Sequence, residues 1–149
     1  MKKLIYAAAL ILAVGLTQSF ADTGTISQRV SASFHHDFQS AKNVSWEVAP
    51  NYLKATFSLG SHILFAYYSQ DGDLIAVVRN ILSDHLPILL QTELRKEYKG
   101  FWVTDLFEMA SEDQTSYYCS IESPDMTLVL HSDGNDHWSV FKRIRKLSI

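Results

Sequence analysis

A short loop near the C-terminus carries the residue types that most often bind metal ions. His131, Asp133, Asp136 and His137 lie within seven positions, and imidazole and carboxylate groups are common ligands of divalent cations. Residues 132–135, Ser-Asp-Gly-Asn, are also what a tight hairpin turn requires, and their glycine stands too early for a calcium-binding loop. The spacing therefore favours a turn. We predict no metal site and no cofactor, with a metal-binding loop as the alternative.

The single cysteine, Cys119, is the other group capable of covalent chemistry. It lies in a strand-like run, and no fixed spacing links it to a histidine base. A lone thiol in such a strand is usually a small buried apolar group. Asp105 and Glu108 face opposite sides of a strand, so they cannot share an acid–base site. An enzyme would need His62, Asp105 and Tyr118 in one pocket, and we predict that the protein is not an enzyme.

The strongest basic run is residues 142–146, Lys-Arg-Ile-Arg-Lys. In a last strand its charges would alternate between two faces and protect a sheet edge from aggregation. The whole chain has 13 Lys and Arg against 16 Asp and Glu, a formal net charge of −3. One basic run on an acidic chain lacks the breadth that phosphate contacts require. We therefore predict no nucleic-acid partner.

Residues 1–21 have the pattern of a signal peptide. Two lysines precede an apolar run of thirteen residues, and Ser19 and Ala21 fit a small-x-small cleavage site. Because a membrane-spanning helix needs about 20 apolar residues, this run is too short to be an anchor. We predict export to the periplasm or the outside, and no membrane insertion after leader removal. The mature chain, 22–149, would be a single domain of 128 residues with a net charge of −5.

The helices and strands that position these residues are predicted from changes in the spacing of apolar residues along the chain. Apolar side chains recur every four positions over residues 26–40, which predicts a helix with Thr25 and Gln28 as its capping box. Alternating or two-sided apolar runs then predict four strands separated by Pro-Asn, Gly-Ser and Asp-Gly turns. These strands are predicted at 44–48, 52–59, 62–69 and 74–81.

The second half of the chain follows the same order. Residues 83–99 have an apolar helical face, with Pro87 in the first turn and Gly100 as a terminator. Four more strands are predicted at 101–110, 115–122, 126–131 and 137–145. The simplest account is two repeats of one helix and four strands, over about 25–81 and 83–146.

The predicted fold is α+β: an antiparallel sheet with both helices packed on one face. Trp46, Leu53, Ala55 and Phe57 would point towards the helices, which leaves the opposite face of the sheet open. Aromatic residues set among polar ones on such a face suit protein recognition better than catalysis. The predicted partner-binding residues are Tyr52, Lys54, Trp102, Tyr118, Trp138 and Lys142.

Short motifs are spread over the chain from about residue 26 to residue 146. They are Val44-Ser45-Trp46-Glu47, the hairpin at 67–74 that leads to Val78-Arg79, Leu86-Pro87, the run at 101–108, Tyr117-Tyr118, Trp138 and Lys142-Arg143. Together they resemble the PepSY-like family of exported Bacteroidetes proteins. That family is similar in fold to the beta-lactamase inhibitor protein, whose two helix-plus-four-strand repeats form a curved sheet with an exposed concave face.

The resemblance implies a periplasmic or secreted protein without established catalytic residues. It also implies, by fold-level analogy, a role in binding another protein. We therefore expect an exported, non-enzymatic binding protein whose open sheet face holds an unknown protein or peptide, with inhibition of a secreted or periplasmic enzyme as one form of that role. The alternative is a periplasmic carrier of a small ligand or metal ion.

Overall fold

The computed structural model describes residues 25–134 and 137–146, and in them two α-helices cover part of one eight-stranded antiparallel sheet. The helices are α1, Gln28–Asp37, and α2, Ile88–Glu97. The strands are β1 Lys42–Ala49, β2 Tyr52–Leu59, β3 His62–Tyr68, β4 Leu74–Asn80, β5 Trp102–Ala110, β6 Thr115–Glu122, β7 Met126–Ser132 and β8 Ser139–Arg145. The predicted signal peptide, 1–21, lies outside the described residues.

The strands lie side by side in chain order, so β1 and β8 form the two edges of the sheet. The predicted α+β class and the antiparallel sheet are confirmed. The element order is one helix and four strands, followed by the second helix and four strands. That the two halves are copies of one unit stays a prediction.

Helix α1 begins later than predicted because a different residue caps it. The Ser27 side-chain oxygen accepts a hydrogen bond from the Val30 backbone N–H at 3.3 Å, which satisfies one of the free donors of the first turn. The predicted capping box of Thr25 and Gln28 is therefore wrong, and Gln28 is already the first helical residue.

Helix α2 is shorter than the predicted 83–99 because Pro87 interrupts the chain. A proline disfavours helical geometry in the residue before it, and Leu86 is extended, with φ −68° and ψ 152°. Residues Ser83–His85 form a separate 3₁₀ turn, and the α-helix starts at Ile88.

Each helix packs its apolar stripe against one half of the sheet. Phe34 of α1 lies with its ring centroid 5.0 Å from that of Phe57 and 5.3 Å from that of Trp46. Leu90 of α2 is fully buried in a second cluster. The first core contains Val30, Phe34, Leu53, Ala55, Phe57, Ala66 and Tyr68, and the second contains Ile81, Leu86, Leu90, Leu106, Tyr117, Cys119, Ile121, Leu128, Leu130 and Trp138.

Strand register places both cores on the same face of the sheet. Ala66 of the first core is paired with Val77 of β4, and Val77 is paired with Ala110 of β5. Side chains alternate along a strand, so Leu106, four residues before Ala110, lies on that same face. The prediction that both helices cover one face is in accord with this register, and the opposite face carries no helix in the described part of the chain.

Candidate functional site

The sheet surface opposite the helices, called the open face below, has an aromatic and apolar centre. Tyr67 is 0% exposed there and lies with its ring centroid 5.5 Å from that of Tyr52. The cluster contains Tyr67, Ala76, Val78, Met109 and Tyr118, with Tyr52, Phe65, Ile75 and Phe107 packed around it. The predominance of large rings explains how side chains become buried although neither described helix covers them, since each aromatic ring shields its neighbours.

One end of the open face has a lysine held between a carboxylate and a ring. Lys54 Nζ lies 3.0 Å from Glu47 Oε1 and 5.1 Å from the centre of the Phe65 ring. Ion pairing and cation–π attraction therefore both fix this cation.

The other end of the open face repeats this arrangement. Lys146 Nζ lies 2.7 Å from Glu122 Oε2 and 5.4 Å from the centre of the Trp102 ring. The open face thus has an apolar centre with paired charges at both ends, the distribution found in protein-binding surfaces.

Strands β6, β7 and β8 add a cluster of three rings to the open face. The Tyr118 and His131 ring centroids lie 4.5 Å apart, and the Phe141 centroid lies 6.1 Å from that of Tyr118. Phe141 reaches this position because the β7–β8 register shifts between Val129 and Leu130, which places one extra residue in β8. Tyr118 is consequently buried beneath its neighbours, while Phe141 stays exposed.

Burial sets the protonation of the polar groups on this face. It raises the pKa of Tyr118 to about 12, with a further contribution from the charge of Asp133. The pKa of Tyr52 is also raised, by burial and then by Glu47. Burial lowers the pKa of His131, and Asp133 partly opposes this shift. At neutral pH both phenols remain protonated, so they are hydrogen-bond donors rather than anions.

Five of the six predicted partner-binding residues lie on the open face. Tyr52 and Lys54 alternate along β2 opposite to the buried Leu53 and Ala55, and Trp102 is paired with Glu122. Tyr118 and Lys142 also belong to this face by register, opposite His131 and Val129 respectively. The list is Tyr52, Lys54, Trp102, Tyr118 and Lys142, of which Tyr118 is too buried to contact a partner directly.

The sixth residue, Trp138, is not on the open face, which corrects its prediction. It is 5% exposed and packs in the second core. Its indole N–H donates to the Leu90 carbonyl oxygen at 3.0 Å, and its backbone N–H donates to Glu93 Oε2 at 3.0 Å. Both bonds attach it to α2, and for this reason β8 begins at Ser139 rather than at residue 137.

Three exposed or half-buried rings of the open face were not predicted from the sequence: Phe65, Phe107 and Phe141. Phe65 lies in a strand that is apolar on both faces, so alternation gives no sign of which face is open. The place of Phe107 could have been predicted, because its neighbour Leu106 has the pattern of a core residue and adjacent side chains of a strand face opposite sides. The place of Phe141 depends on the β8 bulge, which leaves no local sequence signal.

The segment after β7 is described as far as Gly134, so the predicted turn lies partly outside the described residues. Gly134 has φ +79°, and a Cβ at this position would lie 2.6 Å from the Thr115 carbonyl oxygen, so the backbone approaches the start of β6 closely and requires glycine. His131 Nε2 lies 3.2 Å from Asp133 Oδ1. Among residues 25–134 and 137–146 no group of three or more His, Cys, Asp and Glu side chains could hold a metal ion. Asp136 lies outside the described residues.

The residues considered for catalysis are not brought together. Asp105 and Tyr118 lie on the open face, whereas His62 pairs with Leu59 at the start of β3, three strands from Tyr118. Cys119 is fully buried in the second core, where burial and the nearby charge of Asp105 raise its pKa to about 12. A thiol protonated to that extent is a poor nucleophile at neutral pH.

Glu108 lies on the helix-covered face and forms an ion pair with Arg79. The Arg79 Nε–H donates to Glu108 Oε1 at 2.8 Å between adjacent strands. This pair gives both residues a structural role.

A surface groove of about 290 Å³ lies on the helix side of the sheet, between α2 and the start of β5. The residues that line it include Gln91, Leu94, Arg95, Tyr98, Phe101 and Val103.

The fold of the described residues is α+β and is similar to that of a BLIP-like protein and of other solved Bacteroides proteins. Superposition on a BLIP-like protein from Bacteroides fragilis gives a TM-score of 0.69 at 15% identity, over 83% of this chain and 90% of that one. A DUF2874 family protein from Bacteroides ovatus gives 0.71 at 14% identity, over 81% and 88% of the two chains. A candidate periplasmic protein from Bacteroides eggerthii gives 0.71 at 12% identity, over 82% and 90%.

These identities are low, so the likeness concerns the fold alone. No protein-family model matches the sequence, and no curated protein sequence matches it either. In the described part of the chain no helix has the length and apolar character needed to span a bilayer.

Proposed function

We propose that this chain is an exported binding protein, without catalytic activity, that holds a protein or peptide on its open face. The observation that supports this most directly is the aromatic surface centred on Tyr67, which no described helix covers. Paired charges lie at both ends of it, at Lys54 and Lys146. An apolar centre with a polar rim is the arrangement that concentrates binding energy in protein interfaces.

The BLIP-like fold supports a protein partner, and the candidate periplasmic neighbour supports a periplasmic location. Within this proposal the mature protein is one domain of residues 22–149, built from two related halves. Its relation to the PepSY-like family rests on the short motifs of the sequence. Inhibition of a secreted or periplasmic enzyme is the form of binding that the fold suggests.

The side chains available to a partner are those that remain exposed. Trp102 is 49% exposed at one end of the open face, Phe141 is 39% exposed next to Tyr118 and His131, and Tyr52 is half-buried at the other end. We assign contact with the partner to these rings and support of the surface to Tyr67 and Tyr118.

The experiment is capture of the partner from periplasmic extract by the immobilised protein, with the captured protein identified by mass spectrometry. The variants Tyr52→Ala and Trp102→Ala remove one ring from each end of the open face. Ile88→Ala and Leu89→Ala are matched controls, because these side chains are also apolar and exposed but belong to α2. Thermal unfolding establishes that all four variants are folded.

We expect the parent protein and both α2 variants to capture the same partner, and both open-face variants to lose it. Capture that is unaffected by Tyr52→Ala and Trp102→Ala would refute the proposal. So would capture that is lost only in the α2 variants.

A further inference from the structure

The outer edge of β8 carries cations that form no ion pair with an acidic side chain among residues 25–134 and 137–146. We propose that this edge binds an acidic, extended peptide segment of a partner protein as an additional strand. Such strand addition obtains affinity from main-chain hydrogen bonds and selectivity from the side chains on either side of the new strand.

The backbone of β8 is suited to this role. Among the strands that the structure describes it pairs only with β7, and all seven of its residues are exposed. The bulge near Phe141 is followed by a regular stretch in which Lys142, Arg143, Ile144 and Arg145 are paired in sequence with residues of β7. Alternate main-chain N–H and C=O groups of this stretch point away from β7, and no strand of the described residues pairs with them.

The charges of this stretch indicate an acidic occupant. Lys142, Arg143 and Arg145 form no ion pair with the described part of the chain, whereas Lys146 is paired with Glu122. Arg143 and Arg145 lie on the same side of the strand, so acidic side chains two residues apart on an added strand would lie beside them. Ile144 is 44% exposed on the opposite side and offers an apolar contact.

Protection against aggregation explains the charges of this edge only in part. A second copy of the chain presents the same cations, so pairing of β8 with another β8 is opposed by repulsion. The same field attracts an acidic segment. The other edge differs: β1 carries Lys42 and Glu47, and its register is irregular after Lys42. The sheet therefore has one edge with a net charge and one without.

This inference does not depend on the proposed role of the open face. Arg143 and Arg145 pair with Leu128 and Met126, whose strand positions belong to the helix-covered side of the sheet. Their replacement leaves Tyr52 and Trp102 untouched, so the two proposals can fail separately.

The test measures binding of a fluorescent synthetic peptide to the protein purified from cells that express the full chain. The peptide alternates glutamate with valine, and a second peptide carries lysine in place of glutamate. The variant Arg143→Glu/Arg145→Glu reverses the proposed contacts. Lys96→Glu/Lys99→Glu makes the same change in net charge at two exposed lysines, one in the last turn of α2 and one just after it, and is the matched control.

We expect the glutamate peptide to bind, the lysine peptide not to bind, and the Arg143→Glu/Arg145→Glu variant to bind about tenfold more weakly than the control variant. N-methylation of alternate peptide amides supplies the readout for strand addition. Methyl groups on one alternate set should abolish binding and those on the other set should leave it intact, because only one set faces β8.

Three results would overturn the inference. The two methylated peptides could bind equally, the two charge variants could bind equally, or the glutamate peptide could show no binding. Sedimentation analysis adds a fourth, namely a dimer that Arg143→Glu/Arg145→Glu disrupts, which would assign the edge to a second copy of the chain.

Discussion

Trp138 donates its indole N–H to the carbonyl oxygen of Leu90 at 3.0 Å, which connects the segment before β8 to the middle of α2. The two residues are 48 positions apart in the chain. The contact places the indole ring in the second core and thereby sets where the last strand begins. An aromatic residue that the sequence pattern assigned to recognition is thus part of the structural core.

Replacement of Trp138 should destabilise the protein. Trp138→Phe removes the indole hydrogen bond and should lower the free energy of unfolding by about 1–2 kcal/mol. Trp138→Ala also leaves a cavity and should lower it by about 3–5 kcal/mol. Urea denaturation followed by circular dichroism measures both. Trp102→Ala is the control and should change stability much less, because Trp102 is half-exposed; equal losses at both positions would contradict the assignment.

Adjacent tyrosines of β3 should respond differently to loss of the hydroxyl group. The Tyr68 hydroxyl donates to Asp37 Oδ2 at 2.8 Å, so Tyr68→Phe should lower the free energy of unfolding by about 1 kcal/mol. The Tyr67 hydroxyl is buried without a hydrogen-bond partner among the described residues. Tyr67→Phe should therefore leave stability unchanged or raise it. Each variant is the control for the other. A larger decrease in the free energy of unfolding for Tyr67→Phe than for Tyr68→Phe would contradict the structure.

His131 should make stability depend on pH in the mildly acidic range. Burial lowers its pKa in the folded protein below the value of about 6.5 for an exposed histidine, so the unfolded chain binds the proton more tightly. At pH values above the pKa of the unfolded state, this residue should not affect the free energy of unfolding. As the pH falls from that value towards the pKa of the folded state, the free energy of unfolding should decrease. Chemical denaturation from pH 8 to pH 5 measures this, and His131→Gln should flatten the curve. A curve of unchanged steepness would contradict the prediction.

Cys119 should be inert in the folded protein. Its thiol is fully buried and its pKa is raised to about 12, so both access and thiolate formation are suppressed. We expect labelling by a thiol-specific disulfide reagent at pH 8 to be about a hundredfold or more slower in the native protein than in urea. The denatured chain is the internal control. Rapid labelling of the native protein would show that the second core is open at β6.

Strand boundaries were predictable to within one or two residues wherever turn chemistry was local. The Asp71-Gly72 hairpin has Gly72 at φ +90°, and β6 matches the predicted 115–122. The helix starts were less predictable, because the Ser27 cap and the break at Pro87 each depend on the geometry of one residue. Of the six residues predicted to bind a partner, five lie on the open face, and alternation along single strands was enough to predict their side of the sheet.

The sequence alone determines the period of each segment, the turns between them and hence the α+β class, since these are properties of neighbouring residues. Only the tertiary structure decides which apolar side chains are covered and which stay open. Phe65 and Trp138 are both large and aromatic, yet Phe65 borders the open face and Trp138 bonds to α2. That choice depends on contacts between residues distant in the chain, and on a bulge in β8 that turns Phe141 towards Tyr118.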